Sequence, residues 1–110
     1  MKQEPLTESY YYILLCLYKA PLHGYGIMQM TKILSEGHVN IGSGTMYGAT
    51  GNMIKKKWIQ EISVEDDEGK NRRCYELTTN GREVLKMEIT RLHGLLKAAE
   101  KVTEIAETSY

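Results

Sequence analysis

Residues 42–53 read GSGTMYGATGNM, with four glycines in the ten positions from Gly42 to Gly51. A glycine inside a helix costs about 1 kcal/mol relative to alanine. Yet Met46, Ala49 and Met53 recur at helical spacing, and the stretch runs into Ile54-Lys55-Lys56-Lys57-Trp58, which reads as the end of an amphipathic helix. A phosphate loop needs Gly-x-x-x-x-Gly-Lys-Ser/Thr, or Gly-x-Gly-x-x-Gly between a strand and a helix. The glycines here fit neither, and a flexible loop would not carry an apolar stripe. The segment therefore predicts a helix over roughly 44–56, capped by Ser43. Met46, Ala49 and Met53 face inward, with Trp58 just past the end. Gly44, Thr45, Tyr47, Gly48, Gly51, Asn52 and Lys55 fall on the outer side. Small outer residues let a helix backbone approach a groove wall, and Thr, Tyr and Asn supply hydrogen bonds to phosphates or base edges. The free N–H groups at the helix start suit a phosphate.

Upstream, Thr7 caps a helix over roughly 8–19, with Glu8 in its first turn. Tyr10, Ile13, Leu14 and Leu17 share one face. Pro21-Leu22-His23-Gly24 turns the chain, and His23 holds that turn by hydrogen bonding. A second helix runs over roughly 25–36 to Gly37, and Val39-Asn40-Ile41 is a short extended piece. Downstream, 58–64 and 73–77 are strand-like, the second with Tyr75 and Leu77 on one face. Between them, Glu65-Asp66-Asp67-Glu68-Gly69-Lys70-Asn71-Arg72 forms a charged tip with nothing to bury.

Thr78 or Thr79 then caps a long helix. In it Leu85, Ile89, Leu92, Leu96, Ala99, Val102 and Ala106 step by three or four, close to a heptad seam. So long a helix cannot bury its whole seam on a body of about 75 residues. An identical chain is the simplest partner. The fold class expected is mainly α with a small β-hairpin wing: a winged helix-turn-helix over 1–78 and a C-terminal dimerisation helix over 79–110, in one compact unit.

Bulk properties narrow the class. At 110 residues the chain is one domain, and at 42% apolar it is no disordered tail. No apolar run approaches the ~20 residues of a membrane span. The start, Met1-Lys2-Gln3-Glu4-Pro5, does not read as a secretory signal. Cys16 and Cys74 are expected as reduced thiols in a cytoplasmic protein. Net charge is zero, but residues 1–60 carry six Lys against three Glu, and 61–110 carry eight Lys and Arg against eleven acids. That argues against non-specific coating of nucleic acid while allowing a local basic face. His23, His38 and His93 with the two cysteines match no metal-ligand spacing, no Ser-His pairing suggests an enzyme, and no cofactor is expected. Four tyrosines on the first helix (Tyr10, Tyr11, Tyr12, Tyr18) suit core or subunit packing, or a ligand pocket between subunits.

Three ordered blocks carry a resemblance. "PLHGYGIMQ", "GSGTMYGATGNM" and "RRCYELTTNGREVL" are similar to the PadR family of bacterial transcriptional regulators. The matching positions are His23-Gly24-Tyr25, Gly44-Thr45-Met46-Tyr47 and Tyr75-Glu76-Leu77-Thr78-Thr79-Asn80-Gly81, and the resemblance spans about 6–96. It implies a homodimeric winged-helix repressor on a palindromic double-stranded DNA operator, in the short group with one C-terminal helix. Some members of that group bind planar or aromatic effectors at the dimer interface. On this reading Thr45, Tyr47, Gly48, Gly51 and Asn52 form the groove surface. Tyr25, Ser43, Lys55, Lys70, Arg72 and Arg73 hold phosphates. The expected dimer interface is Tyr10, Ile13, Leu14, Leu85, Ile89, Leu92, Leu96, Ala99 and Val102. The chain departs from the family at Gly51-Asn52, where Lys-Arg is frequent, at Thr50 and Met46, where Leu is usual, and at Leu92, where some short members have tryptophan. Lys57 stands where a glycine usually precedes the wing. Zero net charge and Gly51-Asn52 motivate an alternative, a winged-helix module that binds protein and not DNA. Such a module would want large apolar residues on the outer side of the third helix, where only Tyr47 is large.

Overall fold

The structure is a computed structural model, and residues 4–103 are described. Four helices and three strands follow in the order α1 (Glu8–Cys16), β1 (Leu22–His23), α2 (Gly24–Leu34), α3 (Ser43–Lys55), β2 (Ile59–Glu65), β3 (Asn71–Leu77) and α4 (Thr79–Thr103). The strands form one antiparallel sheet in the order β1-β3-β2. β2 and β3 pair from Ile59↔Leu77 to Glu65↔Asn71, which makes the wing. The fold is thus mainly helical, with a small sheet and a long last helix.

The core lies where α1, α2, α3, the start of α4 and the base of the sheet meet. Ile13, Leu14, Leu17, Ile27, Met46, Met53, Ile59 and Leu85 are all fully buried there. Each such side chain contributes about 1.5–3 kcal/mol when removed from water. The stripe Met46, Ala49, Met53 is buried as its spacing requires, and Thr50 is buried beside it. Cys16 and Cys74 are both buried and unpaired.

Caps set the helix starts. Thr7 Oγ1 accepts from Tyr10 N–H at 3.2 Å. His23 caps α2, its Nδ1 accepting from Gly26 N–H at 2.9 Å, so the turn residue expected to hold the corner does so. Thr78 Oγ1 accepts from Gly81 N–H at 3.0 Å at the start of α4. Gly81 itself is a contact residue: a side chain there would run into the Trp58 carbonyl, so α4 meets the turn before β2 backbone to backbone.

Four expectations are corrected. The third strand is Leu22–His23, paired with Tyr75 and Cys74, and not the extended piece at 39–41, which stays outside the sheet. α1 ends at Cys16, where the last turn tightens and Tyr18 N–H bonds Leu15 O at 3.1 Å. α3 begins at Ser43 with Gly42 in the cap position, since Met46 N–H already bonds Gly42 O, and no side chain caps it. Ile13, Leu14 and Leu85 are 0%, 0% and 1% exposed within the single chain, so its own core uses them and they offer no surface to a partner.

α3 closes in a Schellman turn. Trp58 N–H bonds Met53 O and Lys57 N–H bonds Ile54 O, both at 2.9 Å. The residue in the left-handed position is Lys57, at φ 63°. That conformation explains the glycine usual there in the resembled family.

Candidate nucleic-acid interface

α3 presents one bare face. Ser43, Gly44, Thr45, Tyr47, Gly48, Asn52 and Lys55 are exposed, and Gly51 is half-buried. Among the described residues, a Cβ added at Gly44, Gly48 or Gly51 would meet nothing within 4 Å. None of the three has a positive φ. Neither internal packing nor backbone conformation therefore calls for glycine at these positions.

Beside this face, α2 and the wing converge. Tyr25, Tyr47, Arg72 and Arg73, together with His23 and Tyr75, line one open depression of about 280 Å³. The sequence spreads these residues from His23 to Tyr75. The fold joins them because Gly24 opens α2 directly from β1, and β1 is hydrogen-bonded to the arm that carries the arginines. Tyr25 is 62% exposed and Tyr47 49%. The Arg73 guanidinium lies 5.9 Å from the Tyr47 ring centre, a cation–π contact that holds the wing against α3.

Both arginines have acidic partners that the hairpin supplies. Arg73 Nε is ion-paired with Glu61 at 2.9 Å, and Arg72 Nε donates to Asp66 at 3.2 Å, with both guanidinium groups more than half exposed. Asp66 also accepts from the backbone N–H groups of Lys70 and Glu68 at 2.9 and 3.0 Å. The Lys70 N–H first, and Arg72 next, hold its carboxyl below the usual range. The acidic arm thus folds onto the basic one at the tip. The β2–β3 register brings the two arms side by side. The Lys70 side chain stays exposed at the tip.

Two expected site residues are brought together in an unforeseen way. Asn52, assigned to the groove, donates its Nδ2 to the hydroxyl of Tyr10, assigned to the dimer interface, at 3.0 Å. The Tyr10 ring stands edge-on to Trp58, 6.4 Å between centres. Tyr10 is therefore turned toward its own α3. On α4, Ile89 and Leu92 are half-buried, while Leu96, Ala99 and Val102 are exposed; Ala106 lies outside the described residues. Among the described residues no three His, Cys, Asp or Glu side chains gather as a metal site needs, and no helix is long and apolar enough to cross a membrane.

The model of the transcriptional regulator PadR-like family matches residues 13–87. The chain belongs to the PadR-like family of transcriptional regulators. Solved structures show the same fold. A PadR family transcription regulator from Clostridium difficile is 24% identical, with a TM-score of 0.73, over 86% of this chain and 97% of that one. A PadR-like transcriptional regulator from Bacillus cereus is 21% identical, with a TM-score of 0.72, over 88% and 92%. Bacillus subtilis PadR in complex with operator DNA is 22% identical, with a TM-score of 0.60, over 70% of this chain and 44% of that one. Curated protein sequences give no match. In this PadR-like regulator the glycine-bare helix, the α2 start and the basic arm of the wing therefore form the candidate nucleic-acid interface.

Proposed function

We propose that this regulator is a homodimeric repressor that binds a palindromic duplex through α3, working in the cytoplasm. The observation that carries the reading is the bare face of α3. Gly44, Gly48 and Gly51 weaken the helix by about 1 kcal/mol each, and no described residue occupies the space they leave. A surface kept bare at that cost fits close approach to a groove wall. Thr45, Tyr47 and Asn52 would face base edges there, and the uncapped start of α3 at Ser43 would meet a phosphate. Tyr25, Lys55, Lys70, Arg72 and Arg73 would hold the flanking backbone. The winged helix-turn-helix, residues 1–78, is the reading unit, and residues 79–110 carry the dimer contact.

The α4 seam supports the dimer. Past Arg91, Leu95, Leu96 and Val102 are 57%, 40% and 84% exposed along one helix. Ile89, Leu92, Leu96, Ala99 and Val102 are the contacts proposed, and a two-fold pair would place the α3 helices on half-sites about 34 Å apart. A largely apolar groove of about 770 Å³ beside Met87 and Leu95 is within the size of small-molecule sites, and an effector entering there would alter that pairing.

The alternative is a module that binds protein. One observation favours it: both wing arginines already have carboxylate partners. Binding of the purified protein to DNA from its own upstream region, against an unrelated duplex and across a salt series, separates the two. Preference for the upstream fragment with steep salt dependence is expected. Equal, weak binding to both would favour the protein-binding module.

A further inference from the structure

We propose that Tyr10 is a positioning residue for base reading: it holds the Asn52 amide in the orientation that recognises adenine. The inference rests on the DNA-binding reading above and adds the residue and the base.

Asn52 sits on the exposed face of α3, within the surface left bare by Gly48 and Gly51. Its amide has a partner within the chain, because Nδ2 donates to Tyr10 Oη at 3.0 Å. Tyr10 is itself held at two points, and the ring it packs on is held in turn. Its backbone N–H is tied to Thr7 Oγ1. Its ring packs edge-on against Trp58 at 87°. The Lys56 ammonium lies 5.0 Å from the centre of that indole. Asn52 is thus anchored to α1 and to the Schellman turn that ends α3.

A side-chain amide has two N–H donors and one carbonyl acceptor. The anchor uses one N–H. What remains is one N–H and Oδ1, the pair that adenine N7 and N6 amino require for a bidentate contact in the major groove. A long basic side chain at this position would add charge and no such pattern. Holding the amide before binding removes the ordering cost that a freely rotating Asn would meet on docking.

The test uses the full chain and duplexes selected from a random library by the wild-type protein. Asn52→Ala identifies the base pair that Asn52 reads. Tyr10→Phe keeps the ring against Trp58 and removes only the oxygen. We expect Tyr10→Phe to shrink the preference for A·T at that pair by about fivefold. Melting temperature and salt slope should stay at wild-type values, and Tyr10→Phe should add nothing on top of Asn52→Ala. Undiminished preference in Tyr10→Phe would overturn the role of Tyr10 while leaving DNA binding standing. A wild-type chain that selects no sequence would remove the DNA reading, and this inference with it. If Asn52→Ala changes the preference at a G·C pair only, or at none, the adenine assignment fails.

Discussion

Arg73 and Glu61 are held 2.9 Å apart on the inner part of the wing, with the Arg73 guanidinium also against the Tyr47 ring. Such exposed ion pairs are weak and salt-screened. Phosphates of a docked duplex can therefore replace Glu61 and Asp66 as partners of the two arginines. Replacing both Arg72 and Arg73 with Ala should flatten the plot of log affinity against log salt by up to about 2 units. Sequence preference should change little. An unchanged slope in an equilibrium titration would take the wing off the DNA.

The glycine face separates stability from binding. Because a Cβ at Gly44, Gly48 or Gly51 meets open space, each change to Ala should raise unfolding stability by up to about 1 kcal/mol through helix propensity. The same changes should weaken DNA binding, since the added methyls stand between backbone and groove. Thermal melts and binding assays on the triple variant check both halves. A stabler protein that binds DNA as well as the wild type would remove close approach as the reason for the glycines.

Lys57 carries backbone strain that a glycine would not. At φ 63° it occupies the left-handed position of the turn ending α3. Lys57→Gly should raise stability by about 0.5–1 kcal/mol, the relief of the Cβ clash less the greater freedom of the unfolded glycine chain. Chemical denaturation at fixed protein concentration measures it. A loss of stability would mean that the lysine side chain contributes packing that outweighs the strain.

Glu88 is a buried carboxylate in the α4 packing. It is 2% exposed and accepts from Arg91 at 2.7 and 2.9 Å and from Leu6 N–H at 3.1 Å. The Arg91 hydrogen bonds come first in holding its carboxyl below the usual range, against the effect of burial. A carboxylate with a depressed folded pKa stabilises the fold above its unfolded pKa, about 4.3 for Glu. That stability is lost as pH falls through the lower folded value. Glu88→Gln should therefore cost about 1–2 kcal/mol at pH 7, at the low end for a buried pair because Arg91 stays about a third exposed. Between pH 7 and a pH below about 4.3, the gap between wild type and variant should narrow, as pH falls toward the lower folded value. Parallel unfolding curves at the two pH values would show a constant gap if the carboxylate charge were irrelevant.

Much of the molecule was legible in the chain itself. α3, the wing and α4 announce themselves locally. Met46, Ala49 and Met53 set a helical period, Asp66 to Gly69 cannot be buried, and Thr7 and Thr78 are good caps beside apolar runs. Local hydrogen bonding and periodicity act over a few residues, so sequence carries them. Tertiary structure alone decided which partner each face met. Leu22–His23 is a strand only because β3 lies beside it, and two residues have no period to read. The stripe of α1 shows that Ile13 and Leu14 are covered, but not that their own chain covers them. Glu88 sits among exposed helix positions and is buried by an N-terminal segment 82 residues away. Asn52 and Tyr10, 42 positions apart, meet only after α1 and α3 have packed. Contacts at such separation follow from the folded path of the chain, and no local pattern encodes them.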